Sequence, residues 1–222
     1  MSRAADKAYI QIRDDIIAGV HGPGTHLKEE ELSERAGVSR TSVRDALRRL
    51  GAEGLVVAEH HRGTFVATFS DGEVDEIFRL RSSMEGYSAA HAARRITAEQ
   101  LALLEALIAD MDKVAARRAP DLERFARLNN EFHRIIVGAA GMRRLAAMLL
   151  PLIDVPLVLL KHHNWHGRVD VARSNEQHRE IVQALRAGDP IWARTRMQAH
   201  IISTRPRVAG KGIDDGQSLD VR

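Results

Sequence analysis

Cysteine is absent from this chain of 222 residues, and aromatic residues make up only 4% of it. Without thiolates the chain forms no disulfide bonds, and a metal would have to be held by histidine, carboxylate or amide side chains. This composition is compatible with a reducing cytoplasm, where we expect the chain to act. No apolar run approaches the ~20 residues that cross a bilayer, and we recognise no signal-peptide pattern. We therefore expect no contact with membranes.

Positive charge is concentrated in one short segment. The formal net charge is only +3, and acidic and basic residues balance over the first 70 positions. Between Arg35 and Leu50, however, five arginines stand against a single acid, Asp45. Affinity for nucleic-acid phosphates depends on where charge lies. The segment is therefore a candidate for DNA contact on an otherwise neutral domain.

The segment Gly37–Leu50 predicts a short turn and then an amphipathic helix with Ser39 as its N-cap. Its apolar stripe consists of Val43, Ala46, Leu47 and Leu50. Another face carries Arg40, Arg44 and Arg48, with Thr41 and Ser42 beside them. A helix that is buried on one side and offers arginines and hydroxyls on the other suits the DNA major groove. A solvated charged face is the alternative.

The flanking segments favour the DNA-binding interpretation. The helical segments are Ala4–Gly19 and Glu30–Ala36, and the β-rich segments are Leu55–Glu59 and Thr64–Thr68. The spacing of the second and third helices is that of a helix-turn-helix, and the β-rich segments predict a hairpin with Gly63 at a positive φ. Residues 1–70 are therefore predicted to form a winged helix-turn-helix of three helices and a β-hairpin.

Beyond a short linker near Ser70–Gly72, the pattern is entirely helical. Six helices are predicted, at 73–95, 98–117, 121–137, 142–161, 168–187 and 190–205. Pro151 and Pro156 fall inside the fourth of these and should bend or break it. The fold class is therefore mainly α, with an antiparallel helical bundle over residues 73–206 and a tail at 207–222 that is predicted to be disordered.

Three histidines of the second domain lie on or beside the apolar stripes of their helices. His133 follows Asn129 by four residues, so both side chains project from one helical face. His178 and His200 lie on the fifth and sixth predicted helices. Three imidazoles that converge in a bundle would form a nitrogen donor set for Zn²⁺ or another first-row ion. From spacing alone, buried core histidines without a metal remain the alternative.

Arg81 lies at the centre of a largely apolar helical face. That face consists of Val74, Ile77, Arg81, Met84, Ser88 and His91. A buried guanidinium needs an anionic partner, and it binds a carboxylate bidentately. Two partners remain open from the residues alone, namely Glu85 one turn away or an acidic ligand in a cavity.

These segments together resemble the GntR family of bacterial transcription regulators, in the FadR subfamily whose helical second domain is called FCD. The similar stretches of the first domain are Pro23–Val56 and His61–Val66. Those of the second domain are Arg79–Ala93, Asn129–His133, Glu176–Leu185 and Ala193–His200. The six predicted helices of the second domain look like the VanR-type member of this subfamily.

The resemblance implies roles for individual residues. It gives DNA contacts to Arg40, Thr41, Ser42 and Arg44 of the third helix and to Gly63 of the wing; Arg48 continues the same basic face. It gives metal ligation to Asn129, His133, His178 and His200. The implied cofactor is a divalent transition metal, with zinc expected first and nickel or manganese as alternatives. A small carboxylate effector would bind beside the metal, with help from Arg81.

Two positions depart from the family pattern. Many relatives carry a DNA-contacting arginine where this chain has Glu30, so an operator sequence does not carry over. The first metal ligand is Asn129 rather than aspartate, and a neutral amide would leave the ion its full charge. That charge would favour an anion bound directly to the metal.

We therefore expect a homodimeric, metabolite-responsive regulator, acting as a repressor, that reads a palindromic operator. A pure metal sensor, in which the ion itself is the signal, is the first alternative. A metalloenzyme is a more remote one, because we find no acid and base set beside the histidines and a winged helix has no use in it. The second domain could also be a dimerisation bundle without any ligand.

Overall fold

A computed structural model of the chain describes residues 2–162 and 170–205, with only the backbone given from 156 to 162. The predicted tail at 207–222 lies outside these residues. The helices of the first domain are α1 (Arg3–Ile17), α2 (Glu29–Ala36) and α3 (Arg40–Ala52), and its strands are β1 (Val56–Glu59) and β2 (Gly63–Val66). The helices of the second domain are α4 (Asp71–Ala92), α5 (Ala98–Ala115), α6 (Leu122–Ala139), α7 (Arg143–His162), α8 (Val171–Arg186) and α9 (Pro190–Ser203).

The turn between α2 and α3 is fixed by its end residues. Gly37 ends α2 with φ of 60°, in the left-handed region that glycine adopts without strain. Ser39 begins α3, and its hydroxyl accepts a hydrogen bond from the Ser42 amide at 3.2 Å. The predicted apolar stripe of α3 is buried and packs against α1 and α2. The predicted helix-turn-helix is confirmed.

The hairpin is antiparallel, with Val56 opposite Val66 and Glu59 opposite Gly63. Gly63 has the predicted positive φ, at 105°. The loop before α2 adds a third segment to the hairpin, because the Leu27 amide donates to the Thr64 carbonyl at 2.8 Å. The sequence pattern did not predict this third segment, which gives the wing a backbone connection to α2.

The second domain is a bundle in which α4 packs along α9 and also contacts α6 and α7. Helices α5, α6 and α8 complete the core, since α5 packs against both α6 and α8, and α8 packs against α9. Within the described residues this domain holds six helices, as predicted. No helix in the described part of the chain is long and apolar enough to span a membrane.

The fourth bundle helix was predicted to bend or break at its prolines, and a break is ruled out because α7 runs continuously through Pro151 and Pro156. A proline inside a helix costs about 3 kcal/mol. Leu149 and Ile153, on the same helix, are fully buried. Burial of two such side chains contributes roughly 3–6 kcal/mol, which offsets the loss of a backbone hydrogen bond. Packing of this helix therefore outweighs the local effect of proline.

Candidate metal centre and DNA-binding surface

Three imidazoles from three helices meet inside the second domain. His133 lies on α6, His178 on α8 and His200 on α9, and each is 1% exposed or less. The Nε2 atom of His200 lies 3.2 Å from that of His178 and 3.3 Å from that of His133. One ring nitrogen from each residue lies within 4.8 Å of the other two. Helix packing therefore brings together the three histidines that the sequence singled out.

The opposite ring nitrogen, Nδ1, of each histidine faces an oxygen atom. The Nδ1 atoms of His178 and His200 lie 3.3 Å from Asn175 Oδ1 and 3.1 Å from Gln177 Oε1. That of His133 lies 2.6 Å from Glu85 Oε2. Oxygen acceptors at Nδ1 favour the tautomer that carries its proton there, which leaves the Nε2 lone pair available to a metal.

The arrangement around Asn175 fixes which nitrogen of His178 carries the proton. The Asn175 amide group donates to the Ile108 carbonyl at 3.0 Å and to Asp112 Oδ1 at 2.7 Å. Because both donors are used, Oδ1 of Asn175 is an acceptor and His178 Nδ1 is the donor. The Nε2 atom of His178 is then unprotonated, and its lone pair faces inward.

The two Nε2 separations that involve His200 match those of a tetrahedral zinc site. Zinc lies about 2.0–2.1 Å from imidazole nitrogen, so two such ligands at a tetrahedral angle are roughly 3.3–3.4 Å apart. The separations of 3.2 Å and 3.3 Å are close to this. Without a cation or a shared proton, facing lone pairs at this distance repel each other. The donor set therefore fits a divalent ion.

Burial keeps two of these imidazoles neutral. It lowers the pKa of His178 well below 6.5, and the neighbouring His200 and His133 rings lower it further. Burial and the His133 ring likewise lower the pKa of His200, although Glu85 acts in the opposite direction. Neutral imidazole is the form that ligates metals, so His178 and His200 are in their ligating form near neutral pH.

Glu85 ties the histidine centre to Arg81. Its Oε1 atom accepts a hydrogen bond from Arg81 Nε at 2.8 Å, and both side chains are 2% exposed or less. Burial alone would raise the pKa of Glu85, but Arg81 and the His133 ring outweigh burial and hold the pKa at about 2. Of the two partners left open for Arg81, the internal acid is therefore present.

Several buried polar atoms near the centre lack an aligned hydrogen bond. Glu85 Oε2 and His133 Nδ1 are close, but neither atom makes a hydrogen bond of acceptable geometry. Asn130 Oδ1, on the same helix as His133, is also buried without a partner in the described part of the chain. Buried polar groups are nearly always paired. A small adjustment of the Glu85 and His133 side chains would align the hydrogen bond between Glu85 Oε2 and His133 Nδ1, which face each other behind the Nε2 atoms.

Two further predictions for the second domain concern Asn129 and the apolar face of α4. Asn129 lies one turn before His133 and is half-buried, but among the described residues it makes no hydrogen bond to the three imidazoles. On α4, Phe78 and Glu85 are buried, whereas Met84 and His91 of the predicted stripe are only half-buried. The buried face is thus turned by about one residue from the predicted one.

The contacts of Glu85, Asn175 and Gln177 with the three clustered histidines were not predicted from the sequence. Asn175 and Gln177 lie three and one residues before His178. A polar residue three positions before a ligating histidine shares its helical face, and this signal could have found Asn175. No comparable signal exists for Gln177, because it supports His200 of another helix.

The exposed face of α3 presents most of the predicted DNA contacts. Arg40, Thr41, Arg44 and Arg48 are exposed. Ser42 is buried, and its hydroxyl lies 3.0 Å from that of Ser39. The Ser42 side chain therefore serves the turn, and it is not presented to a groove in this conformation.

Each of the five clustered arginines has a carboxylate partner. On the exposed face of α3, Arg40 pairs with Glu30 at 3.1 Å and Arg44 with Glu29 at 2.8 Å. The other pairs are Arg35–Asp15, Arg48–Asp45 and Arg49–Asp6. Phosphates must compete with these acids, so the basic segment offers less positive potential than its arginine count indicates.

A winged helix-turn-helix followed by a separate all-helical domain is the architecture of a two-domain DNA-binding transcription regulator. Residues 4–66 match the family described as bacterial regulatory proteins, gntR family, and residues 76–203 match the FCD domain. The chain belongs to the GntR family and carries an FCD domain.

Individual relatives agree with this assignment. The chain is 33% identical over 169 residues to the transcriptional repressor RspR of Escherichia coli, covering 70% of this chain and 73% of RspR. It is 32% identical over 207 residues to a Paenarthrobacter nicotinovorans protein named "Probable D-xylose utilization operon transcriptional repressor", covering 90% and 88% of the two chains. Its fold matches the solved structure of E. coli McbR/YncC with a TM-score of 0.77 at 23% identity, covering 91% and 95% of the two chains.

Proposed function

We propose that this protein is a metabolite-responsive, homodimeric repressor whose FCD domain binds a divalent transition metal and a small carboxylate effector. The observation that carries the proposal is the set of three buried imidazoles whose Nε2 atoms face one another at 3.2 Å and 3.3 Å. The repressor assignment follows the names of RspR and of the Paenarthrobacter protein.

The metal would be held by His133, His178 and His200, with Asn129 as a fourth ligand. Zinc is favoured because a set of three imidazole nitrogens suits it, while nickel and manganese are the alternatives. When bound, the ion would supply a Lewis-acidic position for an anionic oxygen. Glu85, Asn175 and Gln177 would orient the imidazoles from behind.

Arg81 is proposed to bind the effector carboxylate beside the metal. Within the described part of the chain, the hydrogen bond between Arg81 and Glu85 uses Nε of Arg81, so the terminal Nη groups can donate to a carboxylate in bidentate fashion. An effector without an anionic group would leave Arg81 no new partner. The structure therefore favours a small organic acid.

The DNA surface is proposed to consist of Arg40, Thr41, Arg44, Arg48 and Gly63. We propose that two copies of the chain place two such surfaces on the halves of a palindromic operator. Effector binding changes operator affinity only if it favours one arrangement of the two domains over another.

The test selects operator fragments from a random duplex pool with the zinc-loaded protein and then titrates small organic acids by fluorescence anisotropy. We expect at least one acid to change operator affinity about fivefold or more, and His133→Ala to abolish that response. His91→Ala is the matched control, because His91 is a half-buried histidine outside the cluster. A normal acid response in His133→Ala would refute the metal-coupled mechanism.

Metal sensing is the second candidate, and the enclosure of the centre favours it, since all three imidazoles are almost completely buried. An ion could then act without an organic ligand. Titration of Zn²⁺ against operator binding in the absence of organic acid distinguishes metal sensing from a response to an organic-acid effector. A large change supports sensing, and no change supports a metal that serves the effector.

A further inference from the structure

Asp154 of α7 joins the two domains of the chain. Its carboxylate is 5% exposed and forms an ion pair with Arg13 of α1, in the DNA-binding domain. It also binds Arg134 of α6 at 2.6 Å through Oδ2 and Asn130 of α6 at 3.2 Å through Oδ1. One buried carboxylate thus connects the winged helix to the bundle.

The α6 residues that hold Asp154 flank a ligand-type histidine. Asn130 lies three residues before His133, and Arg134 directly follows it. Because these residues lie on one rigid helix, a shift of α6 at His133 displaces the groups that bind Asp154. Among the described residues, Asn130 Oδ1 is buried without a hydrogen-bond partner, so this oxygen does not anchor the amide.

Within the DNA-binding domain, side-chain contacts hold α1 against α3. The Tyr9 hydroxyl donates to the Glu53 carboxylate at 2.9 Å. The Arg49 guanidinium lies 3.8 Å from the centre of the Tyr9 ring and binds Asp6 at 2.7 Å. Movement of Arg13 is therefore passed to α3 through packing and ion pairs along α1.

We propose that the Arg13–Asp154 pair is the contact through which an ion at the histidine centre positions the DNA-binding domain. Both are positioning residues, since neither touches the histidines. The proposal rests on the metal centre proposed above. The pair bridges the domains outside the linker near Ser70–Gly72. Packed interfaces change between discrete arrangements and do not deform smoothly.

The test uses hydrogen exchange of the full chain with and without Zn²⁺ alone. In wild type we expect Zn²⁺ to slow exchange in both α6 and α1, by about fivefold or more. In Arg13→Gln we expect Zn²⁺ still to slow exchange in α6 but no longer in α1. Arg13→Lys keeps a positive side chain opposite Asp154 and should restore the slowing in α1.

Arg35→Gln is the matched control, because it removes another ion pair of α1, with Asp15 at 2.9 Å, inside the DNA-binding domain. The proposal would be overturned if Zn²⁺ still slowed hydrogen exchange in α1 of Arg13→Gln. It would also be overturned if Zn²⁺ slowed exchange in α6 of the wild type but not in α1. If neither helix responds and calorimetry detects no Zn²⁺ binding, the metal centre itself is refuted, and the proposal falls with it.

Discussion

Glu85 and His133 approach each other within the buried core, with Glu85 Oε2 2.6 Å from His133 Nδ1. The same carboxylate accepts a hydrogen bond from Arg81 Nε at 2.8 Å. A single charge on α4 therefore serves both a proposed metal ligand and a proposed effector contact. Changes at Glu85 should accordingly affect stability and ligand binding together.

Glu85→Gln should lower the free energy of unfolding by about 3–5 kcal/mol, because it leaves the buried Arg81 without a charge partner. The double variant Arg81→Met with Glu85→Gln removes both charges and should recover most of that loss. Urea unfolding of the metal-free chain measures the free energy of unfolding of the single and the double variant. A double variant as unstable as the single one would show that the pair is not the source of the effect.

Acid should destabilise the metal-free protein in two separate pH ranges. The folded-state pKa of His178 and His200 lies below 6.5. The unfolded chain therefore takes up protons first, and stability falls as the pH drops below about 6.5. Glu85 has a folded pKa of about 2 against an ordinary 4.5, so its stabilisation is present above about 4.5 and is lost as the pH falls towards 2.

Unfolding by urea in the presence of a chelator, at a series of pH values from 7.5 to 3, measures both ranges. His178→Phe removes one titrating imidazole and should flatten the curve between pH 7.5 and 5.5. His91→Ala, outside the cluster, should leave the curve unchanged. A wild-type protein equally stable at pH 7.5 and 5.5 would contradict the buried neutral imidazoles.

The fold was predictable from the sequence because its determinants are local. Gly37 and Ser39 fix the turn of the helix-turn-helix, and the stripe on α3 has uninterrupted helical spacing. Pro151 and Pro156 do not break α7, because burial of Leu149 and Ile153 outweighs the local preference of proline. The third segment of the wing depends on contacts between Leu27 and Thr64, which are distant in sequence.

The candidate site was predictable only in part. Its histidines stand out by residue type and by their place on apolar stripes. Their partners come from other helices, as Gln177 of α8 does for His200 of α9. The pairing of Arg40 with Glu30 was also beyond prediction, because it depends on how α2 and α3 cross.

Glu30→Gln should strengthen operator binding by roughly threefold or more, because it frees Arg40 and removes an acid that repels phosphates. The dependence on salt should become steeper by about one phosphate contact. Anisotropy titrations between 50 and 200 mM salt give both quantities.

The matched control for this change is Glu31→Gln, since Glu31 pairs with Lys28 at 2.7 Å and not with an arginine of α3. An equal gain in the two variants would show that net charge, and not the release of Arg40, determines the affinity.

Asn129→Asp should raise metal affinity by about tenfold or more, because a carboxylate is a stronger ligand than an amide and compensates the charge of the ion. Competition with a chromogenic chelator measures the change. The same substitution in a His133→Ala background should have no effect. Unchanged affinity in the otherwise wild-type chain would mean that Asn129 is not a ligand.

The central claim is that His133, His178 and His200 form a metal centre, and calorimetric titration of the chelator-stripped chain with Zn²⁺ tests it most directly. We predict one ion per chain for wild type and for His91→Ala, and no high-affinity binding for alanine variants of the three cluster histidines. One ion bound with unchanged affinity in a variant that lacks all three imidazoles would contradict the account.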